Sequence, residues 1–186
     1  MKSKVLFINP NFQGKIKAIS QITVGPPLGL AYLAAVLEND NFNVRILDAN
    51  ALGLSSKEII SYVNDFSPDI IGLSAMTPTI NQVHFLAERI KKILPNIKIL
   101  IGGVHASTMP EDTLKRFSNF DVVVLHEGEK IISELCTKII NNKKLDKIPG
   151  IVFRKGKSIK KNELRHFIEN LDEIPFPARH LLPMKK

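Results

Sequence analysis

The sequence has a single cysteine, no tryptophan and only two tyrosines among its 186 residues. One cysteine excludes an internal disulfide, a zinc site built from several thiolates and a cysteine-ligated iron–sulfur cluster within this sequence. No apolar run is long enough to cross a bilayer, and the N-terminus lacks the hydrophobic stretch of a signal peptide. These absences predict a soluble cytoplasmic protein with no membrane partner.

Acidic residues are fewer than basic ones, 18 against 26, which gives a formal net charge of +8. Residues 1–142 carry 14 basic and 13 acidic side chains, whereas residues 143–186 carry 12 and 5, so the excess lies at the end of the chain. A basic excess is compatible with nucleic acid, with lipid headgroups or with a solvated linker. Because the sequence has no recognised nucleic-acid motif and only 6% aromatic residues, we expect no nucleic-acid partner.

Five short apolar runs alternate with helix-forming stretches over the first 142 residues. The runs lie at residues 5–8, 44–47, 69–74, 97–101 and 121–125. Because they are apolar throughout, they predict an α/β fold with a five-stranded parallel sheet and helices on both faces, Rossmann-like and flavodoxin-like. Residues 150–154 predict a short C-terminal strand, and residues 171–183, with three prolines, predict an extended connector. We therefore expect one domain at 1–142 and a basic extension and connector at 143–186.

The unusual residues of the sequence follow the predicted strands, and open parallel sheets bind ligands beyond the carboxyl ends of their strands. No glycine-rich dinucleotide fingerprint, P-loop or serine-hydrolase elbow is present at these ends. A phosphoacceptor receiver domain would need acidic residues after the first strand and an aspartate after the third, where this chain has Asn9 and Ser74. These classes are therefore disfavoured.

Several segments resemble the cobalamin-binding domain that precedes the radical S-adenosylmethionine (SAM) domain in cobalamin-dependent radical enzymes. They are PPLGLAYLA at 26–34, PDIIGLS at 68–74, GGVHA at 102–106, EGE at 127–129 and LDEIPFPAR at 171–179, the last resembling the junction into the radical domain. The resemblance implies cobalamin as the cofactor and a radical SAM methyltransferase or cyclase as the parent protein. It implies SAM and a four-iron four-sulfur cluster only in the radical domain.

The radical domain of that family holds its cluster with three cysteines spaced C-x-x-x-C-x-x-C, and this sequence has only Cys136. The resemblance therefore implies a C-terminal radical SAM domain as a partner outside this chain. We expect the native protein to continue past Lys186, and we expect this chain alone not to be catalytic. Cys136 itself lies on an amphipathic helix, which predicts a small buried apolar side chain.

The resemblance implies cofactor-binding residues at four strand ends. They are Asn50, Leu52, Gly53, Ser74, Met76, Thr77, Gly102, Gly103, His105, Glu127, Gly128 and Glu129. Ser74 would hydrogen-bond the dimethylbenzimidazole of the nucleotide tail, the glycines would admit the tail, and His105 and the two glutamates would contact the corrin ring or its amides. Structural alternatives are a strand-end cap, a tight turn, a surface-loop histidine and a favourably charged helix start.

Asn50 is the main departure from corrinoid carriers that ligate cobalt through the histidine of D-x-H-x-x-G. Residues 48–53 read DANALG, so an amide, which is a poorer ligand than imidazole, stands at the histidine position. The resemblance thus implies base-off cobalamin, with its benzimidazole displaced from cobalt, and no protein residue as a metal ligand. Two alternatives stay open: a standalone corrinoid carrier or sensor, and a flavodoxin-like module that binds another ligand.

Overall fold

The structure, a computed structural model, describes residues 2–11 and 25–184, so most of the polar segment predicted to be irregular, residues 11–25, lies outside the described residues. The strands are β1 (Lys4–Asn9), β2 (Asn43–Asp48), β3 (Ile70–Ser74), β4 (Lys98–Gly102), β5 (Val122–Val124), β6 (Ile151–Lys155) and β7 (Ser158–Lys161). The helices are α1 (Leu28–Asn39), α2 (Ser56–Phe66), α3 (Ile80–Ile93), α4 (Val104–Thr108), α5 (Pro110–Arg116) and α6 (Ile132–Ile140). In the described part of the chain, no helix has the length and apolar character that a membrane span needs.

One sheet contains these strands in the order β2-β1-β3-β4-β5-β6-β7. Strand β1 pairs in parallel with β2 and β3, and the parallel pairing continues through β4 and β5. The predicted five-stranded parallel sheet is therefore confirmed. Strands β6 and β7 extend the sheet from β5 as an antiparallel hairpin. The sequence predicted only the first strand of this hairpin, because β7 reads SIKK and has a single apolar residue.

Side chains of the central strands alternate between two apolar cores, one on each face of the sheet. Leu6 and Ile8 of β1 point into a core that α2 and α3 cover, which we call the α2–α3 core. Val5 and Phe7 of the same strand point into the core that α1 and α6 cover, the α1–α6 core. Parallel sheets are stable when both faces are covered in this way, and the predicted placement of helices on both faces is confirmed.

The segment that follows β7 folds back onto α1. The Ala178 N–H donates a hydrogen bond to the Ala31 carbonyl oxygen at 3.0 Å, and Ala178 and Leu182 are buried in the α1–α6 core. Short 3-10 turns form at Leu171–Glu173 and Arg179–Leu181. The expectation of an extended connector at 171–183 is corrected accordingly: its prolines exclude regular helix and strand, but small apolar side chains between them dock on the domain.

We expect Ala178→Asp to lower the free energy of unfolding by about 2 kcal/mol or more, because a carboxylate would replace a methyl group that is only 3% exposed. Phe176→Asp is the matched control, since Phe176 is 95% exposed and a change there costs about 0.5 kcal/mol or less. Urea unfolding followed by circular dichroism measures both. Equal stability of the two variants would contradict the docking of this segment on α1.

Candidate functional site

A cavity of about 230 Å³ lies at the carboxyl ends of the central strands, between the sheet and α1. Its walls are mostly apolar and include Leu30 and Leu33 of α1. Among the described residues that line it, the polar side chains belong to Ser74, His126 and Glu129. An apolar cavity with a few convergent polar groups is the usual form of a small-molecule site.

The cavity lies where the order of strands reverses. The chain places β2 on one side of β1 and β3 on the other, and Phe7 of β1 and Leu73 of β3 both line the cavity. In doubly wound sheets the connections leave β1 and β3 toward opposite faces, which opens a crevice beyond the strand ends. The topology therefore accounts for the position of the cavity.

Glycines of the cavity wall have no room for a side chain. A Cβ atom at Gly72 would lie 2.5 Å from Phe7 Cδ1, and one at Gly103 would lie 2.7 Å from the Ala75 carbonyl oxygen. Gly103 also has a φ of +91°, a conformation that L side chains rarely adopt. At Gly128 the Cβ position is 3.1 Å from side chains of α1 and β5. Close packing at these positions shapes the cavity.

Five of the predicted site residues line this cavity together. They are Ser74, Gly102, Gly103, Gly128 and Glu129. They come from the ends of β3, β4 and β5, which the parallel pairing brings to one edge of the sheet. Their shared position is an observation, and their contact with a cofactor stays a prediction.

Asn50, Leu52 and Gly53 lie in the turn after the edge strand β2, and none of them is part of the described cavity lining. Leu52 packs against the α2–α3 core, and the Gly53 N–H donates to the Asn50 carbonyl oxygen at 3.3 Å. Just before this turn, Asp48 Oδ1 accepts a hydrogen bond from Asn9 Nδ2 at 2.9 Å, which joins the ends of β1 and β2. The structure thus separates this window from the cavity.

His105 lies in helix α4 and not in a surface loop, which corrects the alternative reading of this residue. It is only 8% exposed, and its Nδ1 lies 3.2 Å from Thr77 Oγ1. Burial lowers the pKa of His105 below its ordinary value, so the imidazole is neutral at pH 7. Met76 and Thr77 are exposed, and none of these three residues is among the described cavity lining.

Glu127 is engaged by the segment that follows β7. Its carboxylate Oε2 accepts a hydrogen bond from the Ile168 N–H at 2.8 Å and lies 3.6 Å from a guanidinium nitrogen of Arg165. The same Arg165 group donates to the Glu127 carbonyl oxygen at 2.8 Å. The structure therefore gives Glu127 an intramolecular role, the anchoring of residues 165–168 beside the cavity.

Glu129 differs from Glu127 although the two are separated by one residue. Its side chain reaches the cavity wall, and its Oε2 atom is buried without a hydrogen-bond partner in the described structure. Burial raises the pKa of Glu129 above its ordinary value, and the negative charge of Glu127 adds to the rise. An unsatisfied buried oxygen is costly, so its presence in a cavity points to a ligand group that completes it.

His126 lines the cavity, although sequence reasoning gave it no role. Its N–H donates to Ser107 Oγ at 2.9 Å, its φ is +53°, and its ring centroid lies 5.6 Å from that of Phe167. Both side chains are exposed. The available signal was its place directly after a strand, since parallel strands present their carboxyl ends to one site.

Cys136 is buried in the α1–α6 core, as predicted, and burial raises the pKa of its thiol to about 12. It is therefore protonated and packs as an apolar residue. Within residues 2–11 and 25–184, no group of three or more histidine, cysteine, aspartate or glutamate side chains is placed to hold a metal ion.

These features define a flavodoxin-like α/β domain with a small-molecule cavity at its topological switch point. Similar folds occur in cobalamin-dependent SAM radical enzymes. The solved structure of OxsB with aqua-cobalamin and SAM bound matches with a TM-score of 0.79 at 23% identity, over 97% of this chain and 25% of that one. Because the identity is low, this likeness shows the fold alone.

The family model of the B12 binding domain matches residues 16–136, and the chain belongs to this family. The resemblance noted from the sequence is thereby confirmed, and family membership supports cobalamin as the ligand. An uncharacterized methyltransferase of Pyrococcus horikoshii is 34% identical over 183 residues, 98% of this chain and 39% of that protein. An anaerobic magnesium-protoporphyrin IX monomethyl ester cyclase of Rubrivivax gelatinosus is 31% identical over 73% of this chain and 24% of that protein. The chain thus spans about two fifths or less of these relatives' length.

We expect Gly103→Ala to lower the free energy of unfolding by about 2 kcal/mol or more, because it combines an unfavourable φ with a 2.7 Å clash against backbone. Gly156→Ala is the control, since Gly156 has a φ of +60° but open space around its Cβ position, and we expect a loss of about 1 kcal/mol. Chemical unfolding measures both. A Gly103 variant as stable as the Gly156 variant would contradict the close packing at the cavity wall.

Proposed function

We propose that the chain holds cobalamin with the nucleotide tail inside the cavity and the corrin ring at the strand-end edge outside it. The observation that carries this proposal is the size and lining of the cavity. About 230 Å³ is below the roughly 300 Å³ at which pockets for whole drug-sized ligands begin, so the cavity suits one part of a large ligand. A flat heteroaromatic ring fits its apolar walls.

The residues present fit this group. Glycines whose Cβ positions are already occupied by neighbouring atoms keep side chains out of the cavity, and Glu129 offers an oxygen that lacks a partner. Ser74 adds a hydroxyl to the same lining. A benzimidazole inside the cavity cannot also ligate cobalt above the strand ends, which supports the base-off state. Asn50 at the position of the carriers' histidine supports the proposal that no protein residue ligates the metal.

The chemistry that bound cobalamin supplies is transfer of a methyl group or redox chemistry at cobalt. This chain's residues would orient the cofactor and exclude water. The apolar walls from α1 and the sheet would exclude water from the tail, and the segment anchored on Glu127 would flank the site at residues 165–168. These tasks are binding and positioning, and none requires a proton transfer by the chain.

We further propose that the chain works with a C-terminal radical SAM domain, which would hold SAM and the four-iron four-sulfur cluster, in a methyltransferase or cyclase. The relatives' names and their greater length support this proposal. So do large apolar side chains left in water in the segment after β7. They are Leu164, Phe167, Leu171 and Phe176. A second domain packed there would cover them. In this proposal residues 1–142 form the cofactor-binding domain and 143–186 lead toward the second domain.

We expect Gly29→Phe to weaken cobalamin binding by about tenfold or more. Gly29 lines the cavity, and a Cβ there meets no atom within 4 Å, so the added ring would occupy the cavity without disturbing the fold. Lys157→Phe, in the exposed β6–β7 turn, is the control. Titration with methylcobalamin, followed by its visible spectrum, measures the affinities. Unimpaired binding by the Gly29 variant would count against the cavity, and no binding by the parent chain would refute the proposed function.

A further inference from the structure

Glu129 is the buried polar group that the fold leaves without a partner at the cavity. It lies in the loop between β5 and α6, where Gly128 packs too closely to allow the backbone another path. Its Oε2 has essentially no exposure to solvent and no hydrogen-bond partner in the described structure. Glu127, two residues earlier, shows that a carboxylate in this loop finds partners when the fold supplies them. Glu129 is therefore placed for a ligand.

The charges around Glu129 favour its neutral acid form. Burial is the largest cause of its raised pKa, and the carboxylate of Glu127 repels a second negative charge. Arg165 opposes the rise, as do the backbone N–H groups of Gly128 and Glu129, but its guanidinium is directed to Glu127. Lys130 is paired with Glu173 at 2.7 Å, and His126 lies on the cavity wall. The net effect is a carboxyl that keeps its proton to a higher pH than an exposed glutamate.

We propose that the protonated Glu129 carboxyl donates a hydrogen bond from Oε2 to the benzimidazole nitrogen that leaves cobalt in the base-off state. This inference rests on the proposed function. The freed nitrogen has a lone pair and no hydrogen, so in an apolar cavity it needs a donor. A carboxylate would repel that lone pair, whereas a neutral acid satisfies both groups with one proton. The role differs from contact with corrin amides, because the cavity is too small for the corrin.

The test compares two ligands that differ only in the tail. Methylcobalamin carries the benzimidazole nucleotide, and methylcobinamide has the same corrin and methyl group without it. Titrations of the chain in the dark, between about pH 5 and pH 8, give both dissociation constants. We expect the methylcobalamin dissociation constant to increase as pH rises through the raised pKa of Glu129, because the donor is lost, and the methylcobinamide constant to stay level.

Two variants separate a donor from a carboxylate. Glu129→Ala should weaken methylcobalamin by about tenfold at the acidic end and leave methylcobinamide unchanged. Glu129→Gln keeps an N–H donor at every pH, so it should retain most of the affinity and lose the pH dependence. Glu134→Gln, on the exposed side of α6 where Glu134 pairs with Lys138, is the control and should behave as the parent chain. Unchanged methylcobinamide binding also shows that each variant is folded.

Three results would overturn the inference while leaving cobalamin binding intact. They are a Glu129→Ala variant that binds methylcobalamin as the parent chain does, a Glu129→Gln variant that keeps the parent's pH dependence, and an equal loss of both ligands in either variant. The last would place Glu129 against the corrin instead of the tail. A parent chain that binds neither ligand would instead refute the proposed function.

Discussion

The burial of both faces of the parallel sheet is the constraint on which the rest of the structure depends. Once α1 and α6 cover one face and α2 and α3 the other, the strands are accessible at their ends. The reversal of strand order between β1 and β3 makes one carboxyl-end position a cavity. Glycines at 72, 103 and 128 then decide its shape, because each stands where a Cβ would contact a neighbouring atom closely. Cavity and sheet are consequences of the same packing.

Much of the fold could be predicted from local sequence pattern. Five apolar runs and the stretches between them predicted the parallel sheet, because buried strands need continuous apolar residues whatever their neighbours are. Strand β7 escaped prediction since SIKK has little apolar character and forms by pairing with β6. The docking of Ala178 on α1 also escaped, because its partner Ala31 is about 150 residues away and no local pattern records that contact.

The candidate site was predictable to the extent that strand ends define it. Ser74, Gly102 and Gly128 meet at the cavity because parallel strands bring their carboxyl ends together. Asn50 follows a strand as well, but β2 is at the sheet edge, and the sequence does not state strand order. Nor could the sequence distinguish Glu127 from Glu129, whose different roles follow from the position of Arg165.

The segment after β7 links the site to the outside of the domain. Arg165 and Ile168 fasten it to the loop that carries Glu129, and Ala178 fastens it to α1, which forms the opposite wall of the cavity. Between these anchors Leu171 and Phe176 remain in water. A partner packed on those side chains would therefore act on both walls of the cavity through two short connections, so its docking and the holding of the cofactor tail would be coupled.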